Sequence, residues 1–137
     1  MTRAETIHLT LAFLGDVAQE RLDELKALAI HGRRHELPIE QAGYWPHNRI
    51  VWAGPGEMPA SLERLASDLS RALSAMGFKT ENREFAAHVT LIRKARAVTP
   101  LPPLPRVRWP VEEVVLVESR RAGAGRSYAV RQRYALT

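Results

Sequence analysis

The sequence contains no cysteine among its 137 residues. Disulfide bonds, cysteine-ligated zinc sites and a cysteine nucleophile are therefore excluded. A chain without disulfides suits a reducing compartment, so we expect a cytoplasmic protein. Because 45% of the residues are hydrophobic, the chain can form one compact domain, residues 1–137, without a structural metal.

Long apolar runs are also missing. A membrane helix needs about 20 consecutive apolar residues, and a signal peptide needs about 7–15 of them behind a basic start. The longest runs here are only a few residues long, and Glu5 precedes the first of them. The sequence therefore predicts neither a membrane helix nor an export signal.

Acidic charge is scarce in the second half of the chain. The whole chain has 20 Lys and Arg against 15 Asp and Glu, a net charge of +5, and most of the excess lies after residue 79. Most of the basic residues are arginine, whose planar guanidinium group matches phosphate oxygens. A polyanionic ligand is one interpretation, and a compositional habit of the source genome is the other.

Hydrophobic periodicity predicts an α+β fold with mostly antiparallel sheets. Five prolines between residues 100 and 110 predict a linker or stiff surface loop. The predicted elements are a strand over 6–13, a helix over 19–30, a hairpin of 39–45 and 49–53, a helix over 61–76 with Ser61 as N-cap, a strand over 85–92 and a hairpin of 111–119 and 127–134.

One four-residue pattern, His-x-Thr-Leu, occurs twice in predicted strands. Because residues two apart share a face of a strand, each copy presents an imidazole beside a hydroxyl. A lone copy is most simply a strand with a half-buried histidine, but a matched pair predicts a shared cleft. The two copies are His8-Leu9-Thr10-Leu11 and His88-Val89-Thr90-Leu91.

These side chains suit the chemistry of phosphodiesters. An unperturbed imidazole has a pKa of about 6.5, so one histidine can be neutral and the other protonated near neutral pH. Such a pair can act as general base and general acid. Hydroxyls of Thr10 and Thr90 can donate hydrogen bonds to phosphate oxygens, which offsets charge without a metal. The pattern therefore predicts metal-free catalysis with no cofactor.

The two motifs resemble the signatures of the bacterial 2′-5′ RNA ligase family, within the two-histidine phosphoesterases. The resemblance implies a two-lobed α+β fold with a pseudo-twofold axis and a cleft between the lobes. It covers nearly the whole chain. The segments that carry it are IHLTLAFLGDV at 7–17, QAGYW at 41–45, RIVW at 49–52, HVTLIR at 88–93 and the end of the chain from residue 125.

The resemblance implies an RNA 2′,3′-cyclic phosphodiesterase that opens cyclic phosphate ends to 2′-phosphates, with reversible 2′-5′ RNA ligation as a further activity. At the matching positions, His8 would be the proton donor and His88 the proton acceptor. Thr10 and Thr90 would hold the phosphate. Arg93 stands where the family often has a phosphate-binding arginine, although strict alternation places it on the face opposite His88.

Further candidates lie outside the two motifs. Trp45 can stack on an RNA base or belong to the core. Arg126 and Tyr128 of the last hairpin are predicted RNA contacts. The alternative is that these polar side chains only keep the turn soluble. His31 and His35 could be metal ligands on a shared helical face, but no third ligand completes a site, so we expect exposed histidines.

Two departures from the family pattern carry expectations. Many members have proline where this chain has Ala87, and the family places a strand and a helix before its first motif, where this chain has seven residues. We therefore expect an unpaired strand edge, in a truncated chain or in a homodimer that covers it.

The alternative function is a catalytically weak RNA-binding module that retains the cleft. Retention of all four polar motif residues favours the enzyme.

Overall fold

The computed structural model describes residues 7–79, 86–95, 106–122 and 125–137, with the backbone alone for 121, 122, 125 and 126. Within those ranges the chain forms two α-helices and seven strands. The helices are α1 (Leu22–Lys26), which follows a 3-10 turn at Gln19–Arg21, and α2 (Ala60–Ala75); the strands are β1 (His35–Ile39), β2 (Gln41–Trp45), β3 (Ile50–Gly54), β4 (Val89–Ile92), β5 (Val107–Val111), β6 (Glu113–Ala122) and β7 (Gly125–Ala135).

All strand pairs in the described ranges are antiparallel. β2, β3 and β4 form a central three-stranded sheet in that order, while β1 pairs with β5 and β6 pairs with β7. Together with the two helices, these sheets confirm the predicted α+β class. No helix of the described residues is long and apolar enough to cross a membrane.

Helix α2 covers one face of the central sheet. Its buried residues recur at helical spacing, and Leu62 and Leu65 belong to one core cluster with Ala53 of β3. Ala53 pairs directly with Val89 of β4, so both side chains point toward α2. Since side chains alternate along a strand, the neighbours of Ala53 and Val89 face the other side of the sheet.

The last residues of the chain close this core. Leu136 is 2% exposed, and a Cβ at Gly32 would come within 2.9 Å of Leu65 Cδ1 and 3.1 Å of Leu136 Cδ2. The backbone N–H of Thr137 donates to the carbonyl of Gly32 at 3.0 Å, and that of Arg34 donates to the carbonyl of Thr137 at 2.9 Å. The end of the chain is therefore fixed against the segment that leads into β1.

A second hydrophobic cluster lies between α1 and the last turns of α2. Its buried members are Leu25, Leu69 and Leu73. The segment after the first motif packs against this cluster, and so does β6. These partly buried contacts come from Leu11, Leu14, Val17 and Leu116.

The first motif does not form the predicted strand over 6–13. Among the described residues 7–13, Leu9 alone pairs, in an isolated antiparallel bridge with Val89. Phe13, which strict alternation would put on the same face as Leu9, is 74% exposed. The reason is spacing, because from Leu11 onward the side chains that pack on the second cluster lie three residues apart rather than two.

Both helices differ from prediction at their ends. The helix predicted over 19–30 stops at Lys26. In α2 the N-cap is Pro59 rather than Ser61, which lies inside the helix, and no side chain caps the helix. The Pro59 carbonyl instead accepts the N–H groups of the first turn at 3.0 and 3.1 Å. Proline favours this boundary because it has no N–H to satisfy.

The remaining strand predictions hold with shifted bounds. Both predicted hairpins form, as β2–β3 and β6–β7, and the strand predicted over 85–92 begins at Val89. The loop predicted over residues 100–110 is wrong at its end, because Val107–Val111 forms β5. Among the described strands β5 pairs only with β1, and such an edge tolerates the missing N–H of Pro110. Residues 96–105 lie outside the described ranges.

We predict that Leu136→Ala lowers the free energy of unfolding by about 2–5 kcal/mol, the usual cost of emptying a packed core site. Urea unfolding followed by circular dichroism measures it. The matched control is Phe13→Ala, since Phe13 is 74% exposed and should change stability by less than about 0.5 kcal/mol. Equal losses in the two variants would show that the C-terminal residues do not close the core.

Candidate active site

The two His-x-Thr motifs meet through one backbone contact, the antiparallel bridge between Leu9 and Val89. Residues that flank a bridged pair in antiparallel chains also oppose each other. His8 therefore lies opposite Thr90, and Thr10 lies opposite His88. This reciprocal pairing relates the two motifs by a local twofold axis.

The residues of the bridge itself face the core. Val89 is 4% exposed, and Leu9 packs against the same core cluster. The flanking polar residues therefore project from the opposite face of the sheet, away from α2. His88 and Thr90 are half-buried there. The arrangement brings together the four motif residues predicted from the sequence.

The imidazole of His88 has a defined tautomer. Its Nδ1 lies 2.9 Å from the carbonyl oxygen of Ala86. A carbonyl oxygen can only accept, so Nδ1 carries the proton, and in the neutral ring Nε2 holds the lone pair. This is the form that a general base acting through Nε2 requires.

A chain of ring contacts supports His88. Trp45 of β2 meets the imidazole in a T-shaped arrangement, with ring centroids 4.7 Å apart and an interplanar angle of 73°. Trp45 also stacks on Trp52 of β3, with centroids 5.3 Å apart. Trp52 in turn lies against Gly43, where a Cβ would come within 2.5 Å of Trp52 Cζ2. Gly43 therefore leaves room for Trp52, on which Trp45 stacks.

His8 has a similar neighbour from another sheet. Tyr128 of β7 meets its imidazole in a T-shaped arrangement, with centroids 5.2 Å apart and an interplanar angle of 68°. Trp45 and Tyr128, predicted as RNA contacts, thus each lie against one of the two histidines. Their contact with RNA stays a prediction. The ring contacts were not foreseen from the sequence, because they join residues distant along the chain.

A β-bulge corrects the predicted face of Arg93. Leu91 is an extra residue of β4, and its side chain packs against the core. Ile92 then pairs with buried Val51, so it faces the core as well. The extra residue shifts the alternation by one, so strict alternation no longer puts Arg93, which follows the end of β4, on the face opposite Thr90.

The remaining candidates lie elsewhere or are not described. Arg126 belongs to β7 by its backbone, but its side chain lies outside the described part of the chain. His35 lies in β1, not in a helix, and is half-buried rather than exposed as expected. Its Nδ1 is 2.8 Å from the Arg33 carbonyl oxygen. His31 is exposed. In the described ranges, no three His, Asp or Glu side chains form a group that could hold a metal ion.

We predict that Gly43→Ala destabilises the protein by about 1–3 kcal/mol, because the new methyl group displaces Trp52. Movement of the indoles should also change the near-ultraviolet circular dichroism of the tryptophans and the NMR signals of the His88 ring. Gly56→Ala is the control, since a Cβ there meets only the flexible ends of Glu40 and Gln41 at 3.0 and 3.1 Å. An unchanged His88 spectrum in Gly43→Ala would contradict the support assigned to the indoles.

Comparison with known proteins agrees with this geometry. The profile described as LigT-like phosphoesterase matches residues 1–52 and 54–126. A protein of Escherichia coli (strain K12) named RNA 2′,3′-cyclic phosphodiesterase is 37% identical over 138 residues, which cover 98% of this chain and 78% of that protein. A protein of the same name from Thermus thermophilus is 32% identical over 143 residues, covering 95% of this chain and 72% of that protein.

Solved structures show the same similarity. The apo form of E. coli LigT superposes with a TM-score of 0.88 at 34% identity, covering 99% of this chain and 79% of that one. E. coli LigT complexed with 3′-AMP gives a TM-score of 0.86 at 35% identity, covering 98% and 79%. The described fold is therefore shared along nearly the whole chain.

Proposed function

Since the chain belongs to the LigT-like phosphoesterase family, we propose that it is an RNA 2′,3′-cyclic phosphodiesterase that leaves 2′-phosphate ends. The observation that carries this proposal is the Leu9–Val89 bridge. The bridge sets each motif histidine across from the threonine of the other motif, and such an arrangement suits a phosphate held between two imidazoles. The shared name of the relatives supports the same activity.

His88 is the general base and His8 the general acid of the proposed reaction. Nε2 of His88 takes a proton from water as the water oxygen attacks phosphorus. The bond from phosphorus to the ribose 3′-oxygen breaks, and His8 donates a proton to that oxygen. The products are a 2′-phosphate and a 3′-hydroxyl. The hydrogen bond from His88 Nδ1 to the Ala86 carbonyl supports this assignment, because it leaves Nε2 as the acceptor.

Thr10, Thr90 and Arg93 hold the phosphate in this proposal. The two hydroxyls donate to non-bridging oxygens, and the guanidinium group offsets the negative charge that grows during attack. The bulge at Leu91 supports the role of Arg93, since it interrupts the strict alternation that would put that residue on the face opposite Thr90. With both proton transfers supplied by histidine, the proposed mechanism needs neither metal nor cofactor.

Trp45, Tyr128 and Arg126 are the proposed RNA contacts beyond the phosphate. The two aromatic rings lie beside the histidines, where they can also line a nucleotide site. The same histidines allow 2′-5′ ligation if the 5′-hydroxyl of a second RNA strand replaces water as the nucleophile. That substitution forms a 2′-5′ linkage and releases the same 3′-hydroxyl.

We also propose a homodimer and a cytoplasmic location, as expected from the sequence. Three exposed valines of the β6–β7 hairpin support self-association, because apolar side chains on exposed strands favour contact with another chain. Sedimentation at micromolar concentration tests the homodimer, and a monomer at every concentration would contradict it. The exposed valines are Val115, Val117 and Val130.

We predict that His8→Ala and His88→Ala each reduce kcat on a 2′,3′-cyclic nucleotide by about 10²- to 10⁴-fold, the usual contribution of a general acid or base. The rate of the unmodified protein should depend on pH as a bell-shaped curve and should survive a chelator. His31→Ala is the control, because His31 is exposed outside the site.

Three outcomes would contradict this account. Full activity after replacement of both histidines would remove them from the mechanism. Loss of activity with a chelator would indicate a metal. RNA binding without turnover in the unmodified protein would favour the alternative, a binding module that retains the cleft.

A further inference from the structure

Three basic residues near one end of the central sheet take no part in ion pairs. Among the described residues, Arg49, Arg93 and Lys94 form no salt bridge with a carboxylate. All three side chains are exposed. Six other arginines in the described ranges pair with carboxylates, at Arg21, Arg71, Arg106, Arg108, Arg120 and Arg133. Other described basic side chains, such as Arg64, also lack a carboxylate partner, so it is their shared position that distinguishes these three.

Backbone contacts bring these three residues to the same place. The carbonyl oxygen of Arg49 accepts the N–H of Ala95 at 2.9 Å, and the hydroxyl of Tyr44 donates to the carbonyl of Ala95 at 3.3 Å. The turn between β2 and β3 therefore lies against the end of β4, where Arg93 and Lys94 follow the strand.

The backbone at two of these positions is strained. Arg49 has φ 55° and Lys94 has φ 57°, and they are the only non-glycine residues with positive φ in the described ranges. This left-handed conformation is unfavourable for an L-residue and almost free for glycine. Strain of this kind concentrates at functional sites. A basic side chain at both positions points to a use for the charge.

This basic end adjoins the proposed phosphate site. Arg93 directly follows β4, the strand that carries Thr90. Trp45 is the last residue of β2, so it leads into the turn that carries Arg49. The rings of Trp45 and His47 lie 6.2 Å apart in that turn. A strand of RNA that leaves the site in this direction would pass over Arg49 and Lys94.

We propose that Arg49 and Lys94 bind backbone phosphates of an RNA strand whose cyclic phosphate end occupies the site. This inference rests on the proposed function and adds a substrate preference, for oligonucleotides over mononucleotides. Contacts to backbone phosphates carry no sequence information and weaken with salt. The preference is therefore independent of RNA sequence and strongest at low salt.

The test compares two substrates, a nucleoside 2′,3′-cyclic phosphate and an oligoribonucleotide with the same cyclic end. Arg49→Gln and Lys94→Gln should each lower kcat/KM on the oligonucleotide on the order of fivefold and leave the mononucleotide rate within twofold. The slope of log(kcat/KM) against log[salt] on the oligonucleotide should become shallower by about 0.7 for each lost phosphate contact.

Two further variants control for charge and position. Arg49→Lys keeps the charge and should restore most of the oligonucleotide rate. Arg64→Gln removes an exposed arginine from α2, which packs on the opposite face of the sheet, and should change neither rate. Circular dichroism melting of every variant separates loss of binding from loss of folding.

Equal effects of Arg49→Gln on both substrates, or no effect on either, would overturn the inference. Failure of the proposed function is distinguishable, because the unmodified protein would then open neither substrate. In that case fluorescence anisotropy with a labelled oligoribonucleotide still tests the inference. Weaker binding by both glutamine variants supports the phosphate contacts of Arg49 and Lys94, and unchanged binding rejects them.

Discussion

The site depends on one backbone contact, the bridge between Leu9 and Val89. It joins β4, an outer strand of the central sheet, to a segment whose described residues form no strand. The bridge also sets His8 opposite Thr90. Val89 is fixed by its pairing with β3 and by burial. Leu9 is fixed from one side by the core and, farther along the chain, by Leu11, which packs between the clusters.

Hydrophobic packing therefore determines where the polar side chains of the two motifs lie. The bridge can hold its register only while the segment after the first motif stays packed against α1 and α2. Loss of that packing would separate the two histidines without altering either of them. Substitutions far from the cleft can then reduce activity by moving the first motif. Stability measurements alone would not distinguish this effect from the loss of a catalytic side chain.

The sequence predicted the site better than the elements that carry it. The repeated His-x-Thr pattern predicts that the two motifs meet, and the Leu9–Val89 bridge joins them. The roles of the four polar side chains stay predictions. Strict alternation does not extend as far as Arg93, since an inserted residue such as Leu91 leaves no mark in the sequence. Contacts between strands, such as that of Gly43 with Trp52, depend on register and could not be read from local pattern.

A basic surface was predictable from the sequence, but its position was not. The excess of arginine suggested a polyanionic ligand, yet only the folded chain separates paired arginines from Arg49, which lies in a strained turn. Prolines likewise suggested a loop where the structure has an edge strand, because an edge leaves one side of Pro110 without a hydrogen-bond partner to satisfy.

The most direct test of the central claim is an NMR titration of the imidazole ¹⁵N signals with a ribonucleoside 2′-phosphate, the proposed product. If His8 and His88 bracket one phosphate, both rings shift together and report one dissociation constant, while the signals of exposed His31 stay in place. Shifts at only one of the two rings, or different dissociation constants for them, would contradict a site built from both motifs.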